Sequence, residues 1–139
     1  MSLFQKSNFQ KRTVFYAVLF IFLVFFDQLS KNFFSNSPTF LCNQNISLGL
    51  VIPSRFFWLL WFIFIFFIIQ INPKTHTSQT ILIKTFILTG AISNIVDRVR
   101  LGCIRDFIPF FNLFYFNIAD FLITLGFIFC IFLYLKNKC

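Results

Sequence analysis

The chain has 139 residues, of which 58% are hydrophobic and 22% aromatic, and its formal net charge is +8. A mean hydropathy of +0.83 is more than a soluble core of this size could bury, so the composition excludes a water-soluble globular domain and indicates an integral membrane protein. The twelve Lys and Arg residues are spread along the chain in small groups, which excludes a basic face that would bind nucleic acid.

Apolar stretches extended by flanking Ser, Thr, Asn and aromatic residues approach the ~20 residues that a helix needs to cross hydrocarbon. They predict four membrane spans, near residues 13–31, 55–72, 79–97 and 117–135. Little of the chain is left over, so we expect residues 1–139 to form a single domain, an all-α four-transmembrane-helix bundle. The first span begins like a signal peptide but lacks a small-x-small cleavage site, and we interpret it as a retained anchor.

Two longer connections, 32–54 and 98–116, join the spans on one side of the membrane. The first contains turn residues between short apolar stretches that suit strands better than a helix, and the second is aromatic and rich in turn residues. Together they predict a small extended (β-like) platform on the extracytoplasmic side. The connection 71–78 is short and polar, as is usual between antiparallel helices.

Basic residues set the predicted orientation. With an even number of spans, both termini and the 71–78 connection share one side, and these segments carry Lys6, Lys11, Arg12, Lys74, Lys136 and Lys138. The positive-inside rule makes that side cytoplasmic. The outer side keeps Lys31, Arg55, Arg98, Arg100 and Arg105. Basic residues retained there against the rule indicate a function on the outer face.

The cysteines and the single histidine give no metal-binding pattern. There is no C-x-x-C pair, and His76 has no partner at metal-ligand spacing, so we expect neither a metal nor another cofactor. Cys42 and Cys103 both fall on the outer side and could pair. Buried free thiols are the commoner state, and we expect free thiols here.

All four acidic residues are aspartates in apolar surroundings, namely Asp27, Asp97, Asp106 and Asp120. A carboxylate near the centre of a bilayer costs roughly 2.5–3.5 kcal/mol on insertion scales, so it is not expected to be kept for packing alone. Asp27 lies one helical turn before Lys31, which places the two on the same helical face. The chemistry is therefore expected at the aspartates.

The third and fourth spans carry a common polar pattern near their outer ends. Asn94 shares one helical face with Asp97 and Arg98, and Asn117 precedes Asp120 with the same Asn-x-x-Asp spacing. These side chains and those of the first span would line a polar chamber that opens outward. The outer connection would bring Asp106 to the same chamber.

Each pattern also has a purely structural interpretation. The first-span pair could be only an ion pair at an interface, and the cluster at Asn94 could only hold helices together. Asn117 and Asp120 have the form of a helix N-cap followed by an acidic third residue, which stabilises a helix without catalysis. Jointly, the convergence of four carboxylates at one level of one face favours function.

Five motifs in order and spacing resemble those of the lipoprotein signal peptidases, or type II signal peptidases. They are Asp27-x-x-Ser30-Lys31, Asn43-x-Asn45-Ile46-Ser47-Leu48-Gly49, Gly90-Ala91-Ile92-Ser93-Asn94-Ile95-Val96-Asp97-Arg98, Asp106-Phe107-Ile108 and Phe116-Asn117-Ile118-Ala119-Asp120. Any one of them is a weak signal, whereas five in order on four spans are specific. The resemblance covers nearly the whole chain.

This resemblance implies an aspartic endopeptidase of the bacterial cell inner membrane, which removes the signal peptide from diacylglyceryl-modified prolipoproteins before the lipidated cysteine. It implies that Asp106 and Asp120 are catalytic. The other motif positions would bind substrate or shape the site, namely Asp27, Lys31, Asn43, Asn94, Asp97, Arg98 and Asn117. The expected partners are prolipoprotein substrates and membrane lipids, with the enzyme a monomer, both termini cytoplasmic and the site toward the outer leaflet.

The chain departs from the family pattern at Ser30, Asn45, Leu48 and Ser93, where Thr, Gly, Phe and Gly are usual. The segment between the two catalytic positions is a few residues shorter than usual. Other classes of function remain open. A small proton-coupled transporter or channel subunit would use intramembrane aspartates as a relay, and an assembly factor would use the polar faces to bind partner helices.

Overall fold

A computed structural model describes residues 3–44, 62–63, 66, 78–111 and 113–136. Within these ranges the chain is mostly helical. Helix α1 covers Leu3–Phe33 and is followed by a single 3-10 turn at Phe34–Asn36. Helix α2 covers Ser78–Leu101 and helix α3 covers Ile118–Lys136. All three are long and apolar enough to cross a membrane, with the first candidate span at Gln10–Asn36.

The described helices agree with three of the predicted spans, although α1 begins before the expected residue 13 and α2 continues past 97. Basic residues near the ends of these helices do not stop them, because Lys and Arg have high helix propensity. The predicted span at 55–72 lies almost wholly outside the described residues.

Helix α2 is the central helix of the described part, and it packs against both α1 and α3. Ten of its residues are buried, compared with three in α3. Gly90 allows α2 to approach the beginning of α3, because a Cβ atom at this position would run into the carbonyl oxygen of Ala119 and the side chain of Ile123. This close approach brings the C-terminal part of α2 and the beginning of α3 into side-chain contact.

The outer faces of α1 and α3 are covered by exposed apolar side chains, among them Val14, Phe22, Phe25, Phe121 and Phe132. In a soluble protein such surfaces would aggregate, whereas in a bilayer they contact lipid. The exposed phenylalanines of α1 and α3 therefore suit a lipid surrounding.

The predicted extended platform is present as two small antiparallel sheets. Strand β1 (Leu41–Asn43) pairs with β2 (Ile104–Asp106), and β3 (Ile108–Phe110) pairs with β4 (Phe114–Phe116). The amide of Phe107 donates to the carbonyl of Phe116 at 3.2 Å, which continues the second sheet toward β2. Strand β4 leads directly into α3, so the platform and the start of that helix are held together.

A disulfide bond joins Cys42 to Cys103, with the Cα atoms 5.5 Å apart. The expectation of free thiols was therefore wrong at these two positions. The physical reason is the pairing of β1 with β2, in which Cys42 lies opposite Arg105. This pairing brings Cys103 close to Cys42, although the two cysteines are 61 positions apart in the sequence. A free thiol remains at Cys130, half-buried in α3, and Cys139 lies outside the described residues.

Candidate active site

Asp106 is the last residue of β2, and only 2% of its surface is exposed. Each carboxylate oxygen accepts a hydrogen bond from an asparagine side chain. Asn43 Nδ2 donates to Oδ2 at 3.0 Å, and Asn117 Nδ2 donates to Oδ1 at 2.6 Å. Two neutral amides thus hold this buried carboxyl group from both sides, and no salt bridge to it forms among the described residues.

The pKa of Asp106 is raised to about 6. Burial is the largest cause, because a low-dielectric surrounding disfavours the charged form, and the negative charge of Asp120 acts in the same direction. The hydrogen bonds from Asn43 and Asn117 and the charge of Lys31 oppose this rise. Asp106 therefore carries a proton under mildly acidic conditions that would ionise an exposed aspartate.

Asp120 lies in the first turn of α3, and Asn117 caps that helix. The Asp120 amide donates to Asn117 Oδ1 at 2.9 Å, while the Asn117 amide donates to Asp120 Oδ2 at 3.3 Å. This reciprocal pair is a capping box, so the predicted N-cap at Asn117 is confirmed. The same Asn117 side chain also contacts Asp106, and the cap therefore connects the two carboxyl groups.

Asn94 links Asp120 to a buried cation. Its Nδ2 donates to Asp120 Oδ1 at 2.8 Å, and its Oδ1 accepts from Lys31 Nζ at 2.9 Å. Both ends of the amide are engaged within the protein, so its orientation is fixed by the network. Asn94 of α2 thereby holds the carboxylate of Asp120, which lies on α3, in position.

Lys31 and Asp27 are fully buried and form the predicted i, i+4 ion pair at 2.8 Å. The Asp27 carboxylate also reaches other helices. Its Oδ2 accepts from Ser93 Oγ at 2.6 Å, and its Oδ1 accepts the amide of Ala119 at 2.8 Å in the first turn of α3. Asp27 thus supports the helix start that carries Asp120, since that amide lacks an intrahelical partner.

Asp97 is fully buried and binds two cations. Its Oδ1 lies 2.7 Å from Arg105 Nη2, and its Oδ2 lies 3.3 Å from Lys31 Nζ. The backbone amide of Arg105 donates to the same Oδ2 at 3.1 Å. Asp97 therefore holds strand β2 against α2 at the residue directly before Asp106.

Arg105, Gln28 and Asn32 belong to this network but were not predicted from the sequence as site residues. Arg105 Nη2 also donates to Gln28 Oε1 at 2.8 Å, and its Nη1 donates to Asn32 Oδ1. Gln28 Nε2 in turn donates to Asp97 Oδ1 at 3.0 Å. The available signal was the spacing of Gln28 and Asn32, a second polar i, i+4 pair beside the first in an otherwise apolar span.

Ser93, where the family usually has Gly, is also part of the network. It is fully buried, and its Oγ donates to Asp27 and accepts from Gln28 Nε2 at 2.9 Å. The hydroxyl group that Ser adds relative to Gly is therefore buried with both a hydrogen-bond acceptor and a donor as partners. The departures at Asn45 and Leu48 lie outside the described residues.

Arg98 lies farther out than the rest of the cluster. It is half-buried near the end of α2, and its Nη1 donates to the carbonyl of Gln44 at 2.8 Å, just after β1. The other predicted site residues converge in one network, and Arg98 connects that network to the platform. The structure thus brings together Asp27, Lys31, Asn43, Asn94, Asp97, Asp106, Asn117 and Asp120.

Asp106 and Asp120 both line an open cavity of about 480 Å³. Its walls are mainly apolar and include Phe110, Phe114 and Phe116 of the platform, while Phe121 and Thr124 continue it down α3. Two carboxyl groups at one end of an apolar groove can activate water against an extended, largely apolar chain. Among the residues described, no group of three or more His, Cys, Asp or Glu side chains is placed to hold a metal ion.

The comparisons of this sequence with known proteins agree on one family. A family model described as signal peptidase (SPase) II matches residues 19–136. A lipoprotein signal peptidase of Dehalococcoides mccartyi is 43% identical over 73 residues, covering 52% of this chain and 46% of that relative. In this match the chain spans about half the length of the relative. A lipoprotein signal peptidase of Streptococcus agalactiae is 31% identical over 139 aligned positions, covering 84% of this chain and 89% of that protein.

Solved structures share the fold. A bacterial membrane enzyme determined by the in meso method at 2.3 Å resolution superposes with a TM-score of 0.77 at 23% identity, covering 88% of both chains. A second, determined at 1.9 Å, gives a TM-score of 0.74 at 24% identity. At these identities the likeness establishes the architecture.

Proposed function

Because the chain belongs to the signal peptidase II family, we propose that it is an intramembrane aspartic endopeptidase that removes the signal peptide from diacylglyceryl-modified prolipoproteins. Cleavage would occur just before the lipidated cysteine. One observation carries the proposal: Asp106 and Asp120 face the same cavity and are joined by the hydrogen bonds of Asn117.

Two neighbouring carboxyl groups can supply both proton transfers that amide hydrolysis requires. One removes a proton from the attacking water, while the other donates a proton to the carbonyl oxygen and then to the leaving nitrogen. Like charges at short range do not both ionise readily, so the pair holds one proton between them. The pKa of Asp106, raised to about 6, makes it the proton donor of our proposal.

Asp120 would act as the base. Its carboxylate accepts hydrogen bonds from Asn94 Nδ2 and from the Asn117 amide, and it lies at the positive end of the α3 dipole. These donors stabilise negative charge. Asp27, Lys31 and Asp97 would shape the site. They lie behind the two catalytic carboxyl groups, and their ion pairs and hydrogen bonds hold the neighbouring helices and strand β2 in place.

The cavity suits the proposed substrate because its walls are mainly apolar and both carboxyl groups line it. A signal peptide is an apolar segment that must leave its helical form to present a peptide bond. Its unpaired backbone groups then need polar partners that hydrocarbon cannot supply. A diacylated cysteine would keep its acyl chains in the bilayer beside Phe121, which is exposed on the outer surface of α3.

The proposal includes the membrane arrangement. We infer a four-helix bundle whose further span is near residues 55–72, both termini in the cytoplasm of a bacterial cell, and a monomer in its inner membrane. The basic residues at both ends support this orientation. The site would then face the outer leaflet, where an exported prolipoprotein arrives.

A proton-coupled transporter or channel subunit is the competing function. Such a relay would distribute carboxylates through the depth of the membrane. Here all four aspartates join one network at the platform end of the described helices, through Lys31, Asn94 and Asn117. This one-sided arrangement favours a reaction chamber.

Purified protein in detergent should be incubated with a diacylglyceryl-modified prolipoprotein and with the same precursor lacking the lipid. We expect cleavage of the lipidated precursor alone, with the new N-terminus at the modified cysteine. Proton flux through reconstituted vesicles without any cleavage would support the transporter instead.

A further inference from the structure

The Cys42–Cys103 bridge lies beside the proposed proton donor. Cys42 precedes Asn43 in β1, and Cys103 precedes β2, whose last residue is Asp106. In the β1–β2 register, Leu41 opposes Asp106 and Asn43 opposes Ile104. The bridge therefore cross-links the strand that carries a hydrogen-bond donor to the strand that carries its acceptor.

Strand β1 is short and weakly held by packing. It has three residues, of which two are exposed, and in the described part of the chain its only strand partner is β2. A two-stranded ribbon of this length is at best marginally stable by itself. The bridge adds a covalent link at the point where the Asn43 side chain must be kept 3.0 Å from Asp106.

We propose that the Cys42–Cys103 disulfide is a positioning element of the active site, which holds Asn43 on Asp106 and makes proteolysis depend on the redox state of this pair. The inference rests on the proposed peptidase function. It adds redox control of proteolysis, which the chemistry of the aspartate pair does not itself require. Cysteines 42 and 103 act here through Asn43 and do not touch the substrate.

The redox step is a thiol–disulfide exchange with a dithiol reductant. A thiolate of dithiothreitol attacks one sulfur of the bridge, and the released cysteine takes up a proton. The second dithiothreitol sulfur then displaces the other cysteine, so two thiols form while the reductant becomes a cyclic disulfide. Cys42 is the exposed partner and Cys103 is 2% exposed, which makes Cys42 the accessible end.

The electrostatics of Asp106 supply a readout that a merely stabilising bridge would not change. Asp120 on α3 raises the pKa of Asp106, and Lys31 on α1 lowers it, while Arg98 on α2 and Arg105 on β2 are the other charged groups nearby. The hydrogen bond from Asn43 lowers the same pKa. Loss of that bond removes a lowering influence, so Asp106 keeps its proton to higher pH.

A proton donor fails when it loses its proton, so Asp106 sets the alkaline limb of the pH–rate profile. Reduction of the bridge is therefore expected to move this limb to higher pH. It is also expected to lower kcat on the order of tenfold, with little change in KM, because a donor to a carboxyl group is misplaced while the cavity walls remain.

The test uses the full chain carrying Cys130→Ser and Cys139→Ser, so that only the bridge can react. Cleavage of a diacylated prolipoprotein is measured across pH before and after treatment with dithiothreitol, with thermal unfolding in the same detergent as the folding control. Asn43→Ala in this background should reproduce the alkaline shift, and reduction should then add no further shift, since the two changes act through one contact. The Cys42→Ser/Cys103→Ser variant should be slow with or without reductant.

The outcomes separate the two ideas. If the oxidised enzyme does not cleave the precursor, the proposed function fails. If it cleaves and reduction alters neither the rate nor the alkaline limb, the inference is overturned. It is equally overturned if reduction slows the Asn43→Ala enzyme as much as the parent, because the bridge would then act by holding the fold. Should the double Ser variant fail to fold, the reduced enzyme assayed below its Tm gives the same decision.

Discussion

Asn117 donates a 2.6 Å hydrogen bond from its side chain to Asp106, across the junction between α3 and strand β2. The same side chain accepts the amide of Asp120, so a helix cap and a contact to the proposed proton donor depend on one amide group. A change that keeps only one of these roles can therefore separate stability from catalysis.

Asn117→Ser should retain the cap and lose the contact to Asp106, because Ser is a good N-cap residue but is too short to bridge the two. We expect near-normal thermal unfolding and a loss of kcat on the order of tenfold or more. Asn117→Ala should lose the contact and also about 1 kcal/mol of stability. Equal activity of the Ser variant and the parent would contradict a catalytic role of this hydrogen bond.

Asp106→Asn and Asp120→Asn should each abolish cleavage of a diacylated prolipoprotein while the protein stays folded and membrane-inserted. Each change removes one half of the acid–base pair but keeps the size of the side chain and one of its two acceptor oxygens. The measurement is turnover by purified variants, with circular dichroism as the folding control. Normal turnover by either variant would refute the assignment of the pair.

Asp120→Asn should also lower the pKa of Asp106. Burial raises that pKa to about 6 and the charge of Asp120 adds to the rise, so removal of the charge leaves a smaller shift. The C=O stretching band of the protonated carboxyl, followed by infrared spectroscopy against pH, should therefore disappear at lower pH in the variant. An unchanged midpoint would mean that the two carboxyl groups are not electrostatically coupled.

Arg105→Gln should destabilise the protein by roughly 3–5 kcal/mol, because it leaves the buried Asp97 without its main counter-ion. Arg105→Lys keeps the charge but cannot serve Asp97, Gln28 and Asn32 together, since a single ammonium group lacks the guanidinium fork. For Arg105→Lys we expect a loss of stability smaller than that of Arg105→Gln, measured by denaturant titration. Arg100→Lys, at an exposed position of α2, is the matched control and should be neutral.

Single cysteines at Ser37 and Asn112 should react with a membrane-impermeant thiol reagent in intact cells, and one at Thr75 only after permeabilisation. The background carries Cys130→Ser and Cys139→Ser and keeps the bridge, which does not react while oxidised. The orientation follows from the basic residues of the termini. Labelling of Thr75→Cys from outside would invert the protein and remove the active site from exported substrates.

Local patterns in the sequence predicted the helices and most of the site. The i, i+4 spacing of Asp27 and Lys31 and the Asn-x-x-Asp spacing at Asn117 depend only on helix geometry. Helix periodicity also placed Asn94 beside Asp97. Which side chains of different helices would meet was inferred from shared depth, and the network through Lys31 confirms that inference.

The contacts that the sequence did not reveal are long-range. The pairing of β1 with β2 joins residues more than 60 positions apart, and neither three-residue strand has an alternating pattern long enough to be recognised. From the sequence alone, a Cys42–Cys103 bridge was one of several possible states of the cysteines. Arg105 could not be distinguished from the other basic residues of the predicted outer side. Their roles depend on strand register, which composition does not determine.

The complete burial of Lys31 between Asp27 and Asp97 has a consequence for how the protein is made. Helix α1 can enter the bilayer with its own i, i+4 ion pair, which partly offsets the cost of both charges. Among the described residues, the two cations that pair with Asp97 of helix α2, Lys31 and Arg105, both come from other elements. We therefore expect α2 to be more stable in the bilayer when α1 is already alongside, because Lys31 of α1 then offsets the charge of Asp97.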